Sequence, residues 1–182
     1  QSGNINVKTG TASSGSSGSI VLSSGASSGG AGGSITLSVG TGESGAGGNI
    51  NVQAGASNQN NGGDISVRSG GSTAAGSGSI NILSSNAGDA GASGNVAMSA
   101  GSANLASSGS LSLNTGASTE GSSGDITLSV GASAGKFKGG DVNIGAGSST
   151  QLTEGIISTR SGKSTEQTSG TVSISTPNGD EA

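Results

Sequence analysis

Aliphatic residues recur along the chain in pairs separated by one residue, and the pairs return on a fixed period. Division at a recurring glycine yields twelve copies, which begin at Gly3, Gly18, Gly33, Gly48, Gly63, Gly78, Gly94, Gly109, Gly124, Gly140, Gly155 and Gly170. Nine of the eleven steps between them have the length of Gly3 to Gly18, and the steps Gly78 to Gly94 and Gly124 to Gly140 are longer by one. The third residue of each copy is aliphatic throughout: Ile5, Ile20, Ile35, Ile50, Ile65, Ile80, Val96, Leu111, Ile126, Val142, Ile157 and Val172. The fifth is Val7, Leu22, Leu37, Val52, Val67, Ile82, Met98, Leu113, Leu128 and Ile144, then Thr159, then Ile174. The seventh is small or Val, as in Thr9, Val39, Ala54 and Ala146, and the eighth is Gly except at Ser85 and Pro177.

Alternation of apolar, polar, apolar, polar and small residues is the period-two signature of a strand with one buried face. Ser34-Ile-Thr-Leu-Ser-Val39 and Asp125-Ile-Thr-Leu-Ser-Val130 show it most clearly. β-Branched residues dominate the apolar positions, as strands prefer. Glycine brackets each segment and is expected to supply positive φ at tight corners. Helix is excluded, because Gly interrupts almost every window of eight or nine residues, and each Gly costs about 1 kcal/mol relative to Ala.

A repeat of this length suits one turn of a narrow solenoid: a strand, a corner, a return segment and a second corner. The return segments, such as Thr11–Ser17 and Ala26–Gly32, carry Ala, Gly and Ser. The expected fold is therefore all-β, a narrow two-sided β-solenoid of about twelve 15–16-residue coils. One array fills residues 1–176, and 177–182 form a tail or continue into a longer chain. The third-position aliphatics from Ile5 to Val172 are its expected core ladder. Their burial alone falls short of the entropy of ordering so Gly-rich a chain, so backbone ladders and neighbouring coils must supply the rest. No capping element is recognisable, and open sheet edges invite pairing with other copies or other filament subunits.

Composition narrows the chemistry. The chain has 182 residues, of which 39 are Gly and 41 Ser, with one Phe and no Cys, His, Trp or Tyr. Without His or Cys, ordinary zinc, copper, haem and iron–sulfur ligation is excluded, as is a Ser-His-Asp or Cys-His nucleophile. A single aromatic leaves almost nothing for stacking on bases or sugars. The formal net charge of −4 provides no basic footprint for nucleic acid. No apolar run approaches the length of a membrane span. The expectation is a chain that is not an enzyme and takes no cofactor, catalytic residue or metal.

In so Gly-rich a chain, short motifs match by accident. Gly162-Lys-Ser164 resembles the end of a phosphate loop, but Ile157 stands where that loop needs Gly. Asp125 and Asp141 occupy the same position in successive copies and invite comparison with a carboxylate pair or a weak cation site. No cleft-forming residues accompany them, so they are read as solvated corner residues. Ice binding by a flat Thr face is the principal alternative function, with adhesion to a glycan surface beside it. The outward fourth positions mix Asn6, Val21, Thr36, Asn51, Ser66 and Ala97, which spoils a regular lattice. Leu83, Leu105 and Leu152, together with Lys136, Phe137 and Lys138 in one of the longer copies, are candidate assembly contacts. Outward Ser and Thr are candidate acceptors for O-linked glycans.

Repeats such as Gly32-Gly-Ser-Ile-Thr-Leu-Ser-Val-Gly40 and Gly47-Gly-Asn-Ile-Asn-Val-Gln-Ala-Gly55 carry a family resemblance. The chain resembles Gly/Ser-rich β-strand-repeat extracellular fibre proteins. These include mastigoneme-type proteins of diatoms and other stramenopile algae, and phage and bacterial surface fibres. The resemblance covers the whole chain but transfers no functional residue. It implies an extracellular or cell-surface location and a rod or shaft role in a filament, appendage or matrix.

Overall fold

The aliphatic pairs offer little apolar area to repay the ordering of a chain with 39 glycines, and glycine loses more backbone freedom on ordering than any other residue. The structure, a computed structural model describing residues 3–134 and 136–176, follows that imbalance. Among the described residues there is no helix and no strand. The expected all-β solenoid is therefore corrected: the chain is a fold of low regular structure, and no coil-to-coil ladder forms. Beyond six backbone–backbone hydrogen bonds, all between glycines, no main-chain pairing occurs among the described residues. A globular chain of this length would hold about one hydrogen bond per residue.

The expected core ladder is corrected with it. No residue among those described is buried, and Ile80, the most covered of the third-position aliphatics, remains 49% exposed. From the second copy onward, each aliphatic third residue is better covered than the apolar fifth residue of the same copy, as with Ile65 at 56% against Val67 at 72%. Ile5 departs from this at 92%. Only Gly3 and Asn4 precede it among the described residues.

Regularity survives in the return segments, where it takes the form of closed loops. Each return segment from the first copy to the eleventh bends near its middle, at 13–15, 28–30, 43–45, 58–60, 73–75, 89–91, 104–106, 119–121, 136–137, 150–152 and 165–167. In five of them the glycine that opens the next copy donates its N–H to the carbonyl of the eighth-position glycine before the loop. These bonds are Gly63 to Gly55 at 2.9 Å, Gly78 to Gly70 at 2.9 Å, Gly109 to Gly101 at 3.2 Å, Gly155 to Gly147 at 2.9 Å and Gly170 to Gly162 at 3.0 Å. A serine two residues into the loop caps the bend. Ser57 Oγ accepts the N–H of Asn60 at 3.0 Å, Ser72 that of Ala75 at 2.9 Å, Ser118 that of Gly121 at 3.0 Å, Ser149 that of Leu152 at 3.0 Å and Ser164 that of Gln167 at 2.9 Å. A short hydroxyl that bonds nearby main-chain N–H groups is the usual device of such turns.

The loop neck also explains the two most restricted positions of the repeat. A Cβ built on each copy-opening glycine, from Gly18 to Gly170, would lie within 4 Å of the side chain of the seventh residue of the preceding copy. The separation is 3.5 Å to Thr9 at Gly18, 3.6 Å to Ala54 at Gly63, 3.3 Å to Ala100 at Gly109 and 2.7 Å to Val39 and Val130 at Gly48 and Gly140. The first position is Gly and the seventh is small because the two chain segments cross there. Thr9, Ala54 and Ser69, all seventh-position residues, are accordingly among the few that are partly covered. The expectation that glycine serves positive φ is corrected. Among the described residues only Gly15 adopts it, at 81°; close approach restricts copy-opening glycines such as Gly48, Gly140 and Gly155, whereas the eighth-position glycines of the closed necks, such as Gly147, have open space around a Cβ.

Contacts cluster into two units, Gln1–Val96 and Ala97–Ala182. The first holds the loop necks that end at Gly18, Gly33, Gly48, Gly63, Gly78 and Gly94, the second those that end at Gly109, Gly124, Gly140, Gly155 and Gly170. The expected tail at 177–182 lies outside the described residues.

The two glycines of one neck should respond differently to substitution. A Cβ on Gly155 would meet the main-chain N and O of Gly147 at 3.2 Å, whereas one on Gly147 would meet nothing within 4 Å. Gly155→Val should therefore open the neck and abolish the slowed amide exchange of residue 155, while Gly147→Ala should preserve it, as read by NMR hydrogen exchange. Ser72→Ala should accelerate exchange at Ala75 by a few-fold, the scale of a hydrogen bond worth about 1 kcal/mol, and leave the Gly155 amide unchanged.

Candidate assembly surface

Third- and fifth-position aliphatics stand one residue apart in sequence, and neither partner is buried in any described copy. Between them lies a fourth position that is mostly Asn, Ser or Thr. Every copy but the one with Thr159 at its fifth position thus presents two such apolar side chains to solvent, at the period of the repeat. Single exposed aliphatics are ordinary on protein surfaces, but here the exposure recurs at the third and fifth positions of copy after copy.

The candidate assembly contacts distribute over two kinds of place. Leu105 lies in the bend at 104–106, Lys136 and Phe137 form the bend at 136–137, and Leu152 closes the bend at 150–152. All three large apolar residues in these bends are well exposed. Leu83 instead follows the aliphatic pair Ile80 and Ile82 and is exposed beside it. The bends of the first unit carry residues such as Ser13, Asn58, Ala75 and Asp89, and none carries a large apolar side chain. Loop-apex hydrophobics are thus confined to Ala97–Ala182.

Charge is sparse on this surface. Lys138 Nζ donates to Asp141 Oδ2 at 2.7 Å, and this is the one ion pair among the described residues. It spans the start of a copy, from the residue before Gly139-Gly140 to the residue after them. Asp141 is thereby engaged by its own neighbour. Lys163 and Ser164, which resemble a phosphate loop in sequence, belong to the loop between Gly162 and Gly170, where Ser164 Oγ accepts the N–H groups of Glu166 and Gln167. The hydroxyl is spent on capping the bend.

Among the described residues there is no cavity and no cluster of three or more potential metal-ligating side chains. No helix in them is long and apolar enough to cross a membrane. Sequence reasoning missed the capping serines and the neck contact. A signal for the first was present: Ser57, Ser72, Ser118, Ser149 and Ser164 each stand two residues after an eighth-position glycine. The second was visible only as the co-occurrence of Gly at the first position and a small residue or Val at the seventh.

No protein-family model matches the chain, and neither a curated protein nor a solved structure matches it.

The Lys138–Asp141 pair is exposed on both sides and its Coulomb attraction is screened by water and salt. Asp141→Asn is expected to leave amide exchange at Gly155 and the hydrodynamic radius unchanged. A change in either would show that the ion pair holds more of the chain than its own copy.

Proposed function

We propose that the chain is a structural repeat segment of an extracellular assembly, without catalytic activity. The observation that carries this reading is the repeated display of solvent-exposed aliphatic pairs, copy after copy, on a chain that buries none of them itself. A segment of this kind works by multiplicity: many weak, identical contacts sum to a strong attachment once the first has formed. The composition supports the same reading. No His or Cys is present for nucleophilic or metal chemistry, and the weak formal charge of −4 allows close lateral approach of similar surfaces. The resemblance of its Gly/Ser repeats to extracellular fibre proteins supplies the location. Exposed Ser and Thr in the loops leave room for O-linked glycans.

Ice binding has less in its favour. Thr36 and Thr127 share their position in the repeat with Val21, Asn51 and Ala97, so a regular Thr lattice is missing from the row that would have to present it.

Fractionation of the source cells or their secreted material tests the proposal. The native protein is expected in an insoluble, surface-attached or extracellular fraction, released by denaturant and not by salt alone. Recovery as a soluble component of the cell interior would overturn it.

A further inference from the structure

We propose that the partner of the exposed aliphatic row is a second copy of this chain, aligned parallel and in full register. The inference rests on the structural role above and names what the surface binds.

The surface area leaves ample room for a partner on these residues. The isolated chain exposes 18,329 Å² at a mass of 16.6 kDa, whereas a compact monomer of that mass would expose about 7,600 Å². The excess is about 10,700 Å², and a stable pairwise interface needs only about 800 Å² from each partner. Main-chain groups point the same way. Six backbone–backbone hydrogen bonds leave the segments that carry the aliphatic pairs, such as 64–69, without main-chain partners. An unpaired segment with alternating apolar residues is the substrate of strand addition by another chain.

The sequence period identifies the occupant. A matching partner must offer aliphatic pairs at the same period and leave room for a closed loop between pairs, and this chain does both. With a formal charge of −4 spread over 182 residues, two copies repel only weakly. A slip by one residue would turn every aliphatic away from its partner, and a slip by two would match only one aliphatic of each pair, so whole-repeat shifts alone pair both.

The two longer steps select among those repeats. They run from Gly78 to Gly94 and from Gly124 to Gly140, the sixth and ninth of eleven steps. A copy displaced by one or two repeats sets each longer step against a shorter one. An antiparallel copy in full overlap superposes the sixth step on itself but sets the ninth against the third, Gly33 to Gly48, which is one of the shorter steps. Only the parallel, full-register arrangement matches all eleven.

Disulfide cross-linking of single-cysteine variants tests this, since the native chain has no Cys. The fourth position lies midway between the aliphatic pair and faces its own equivalent in either direction of pairing. Ser66 holds it in the fifth copy and Ser112 in the eighth, which are the copies an antiparallel full overlap brings together. Ser66→Cys and Ser112→Cys full-length chains would be mixed, oxidised and read by mass spectrometry of linked peptides, with oligomeric state followed by sedimentation velocity. The expected result is concentration-dependent association with 66–66 and 112–112 links several-fold above 66–112 links. Adding Ile65→Ser and Val67→Ser to the Ser66→Cys chain should lower its links several-fold.

Predominant 66–112 links, equal yields at all positions, or a monomer at every concentration would each overturn the proposal. A chain that stays monomeric when pure, yet is recovered from an insoluble surface fraction, loses the self-pairing and keeps its structural role. One that pairs in register but is recovered from the soluble cell interior does the reverse.

Discussion

The contact between each copy-opening glycine and the small seventh residue before it organises everything else that is regular in this chain. From Gly18 to Gly170 a Cβ on the glycine would come within 4 Å of that residue, and at the tightest crossings it would have little or no room, with 3.3 Å at Gly109 over Ala100 and 2.7 Å at Gly48 over Val39. At five of the crossings the main chain closes a hydrogen bond, as between Gly63 and Gly55. Four of the five closed loops also carry a capping serine, Ser57, Ser72, Ser149 and Ser164, whose hydroxyl accepts an N–H exposed by the reversal.

This local device explains how a chain with almost no core keeps a fixed period. Short loops close at little entropic cost, and the missing Cβ makes the close crossing possible. Nothing comparable is available between copies. Long-range order would have to come from burial of the aliphatic pairs, and within one chain that burial does not repay the freedom lost by the intervening Gly and Ser. The outcome is a series of closed loops joined by segments whose apolar side chains and main-chain groups remain open to a partner.

The same separation between local and distant order marks how far the residues could be read without a structure. The period, the copy boundaries and the places where the chain turns were legible, because Gly and Ser act on the backbone within a few residues of themselves. The exclusion of helix was legible for the same reason. The solenoid was not a sound inference: alternation in Ser34–Val39 describes how side chains would be disposed if the segment paired, and says nothing about whether a pairing surface exists in the same chain. Leu105, Phe137 and Leu152 stand out in the sequence as large apolar residues in the return segments. That they occupy bends, and that Leu83 does not, is a property of the folded backbone.

Composition and spacing by themselves determined that this protein is repetitive, poor in charge and aromatics, without His or Cys, and turned back on itself once in every repeat. Those are consequences of residue identity and near-neighbour geometry. Only the tertiary structure decided that the aliphatic residues stay exposed and that a close crossing restricts glycines such as Gly48 and Gly140, with positive φ confined to Gly15 among the described residues. It also showed that the period is spent on loops and not on stacked strands. The physical reason is that burial depends on whether distant segments meet. That meeting is a balance of apolar area against chain entropy, which no single repeat contains.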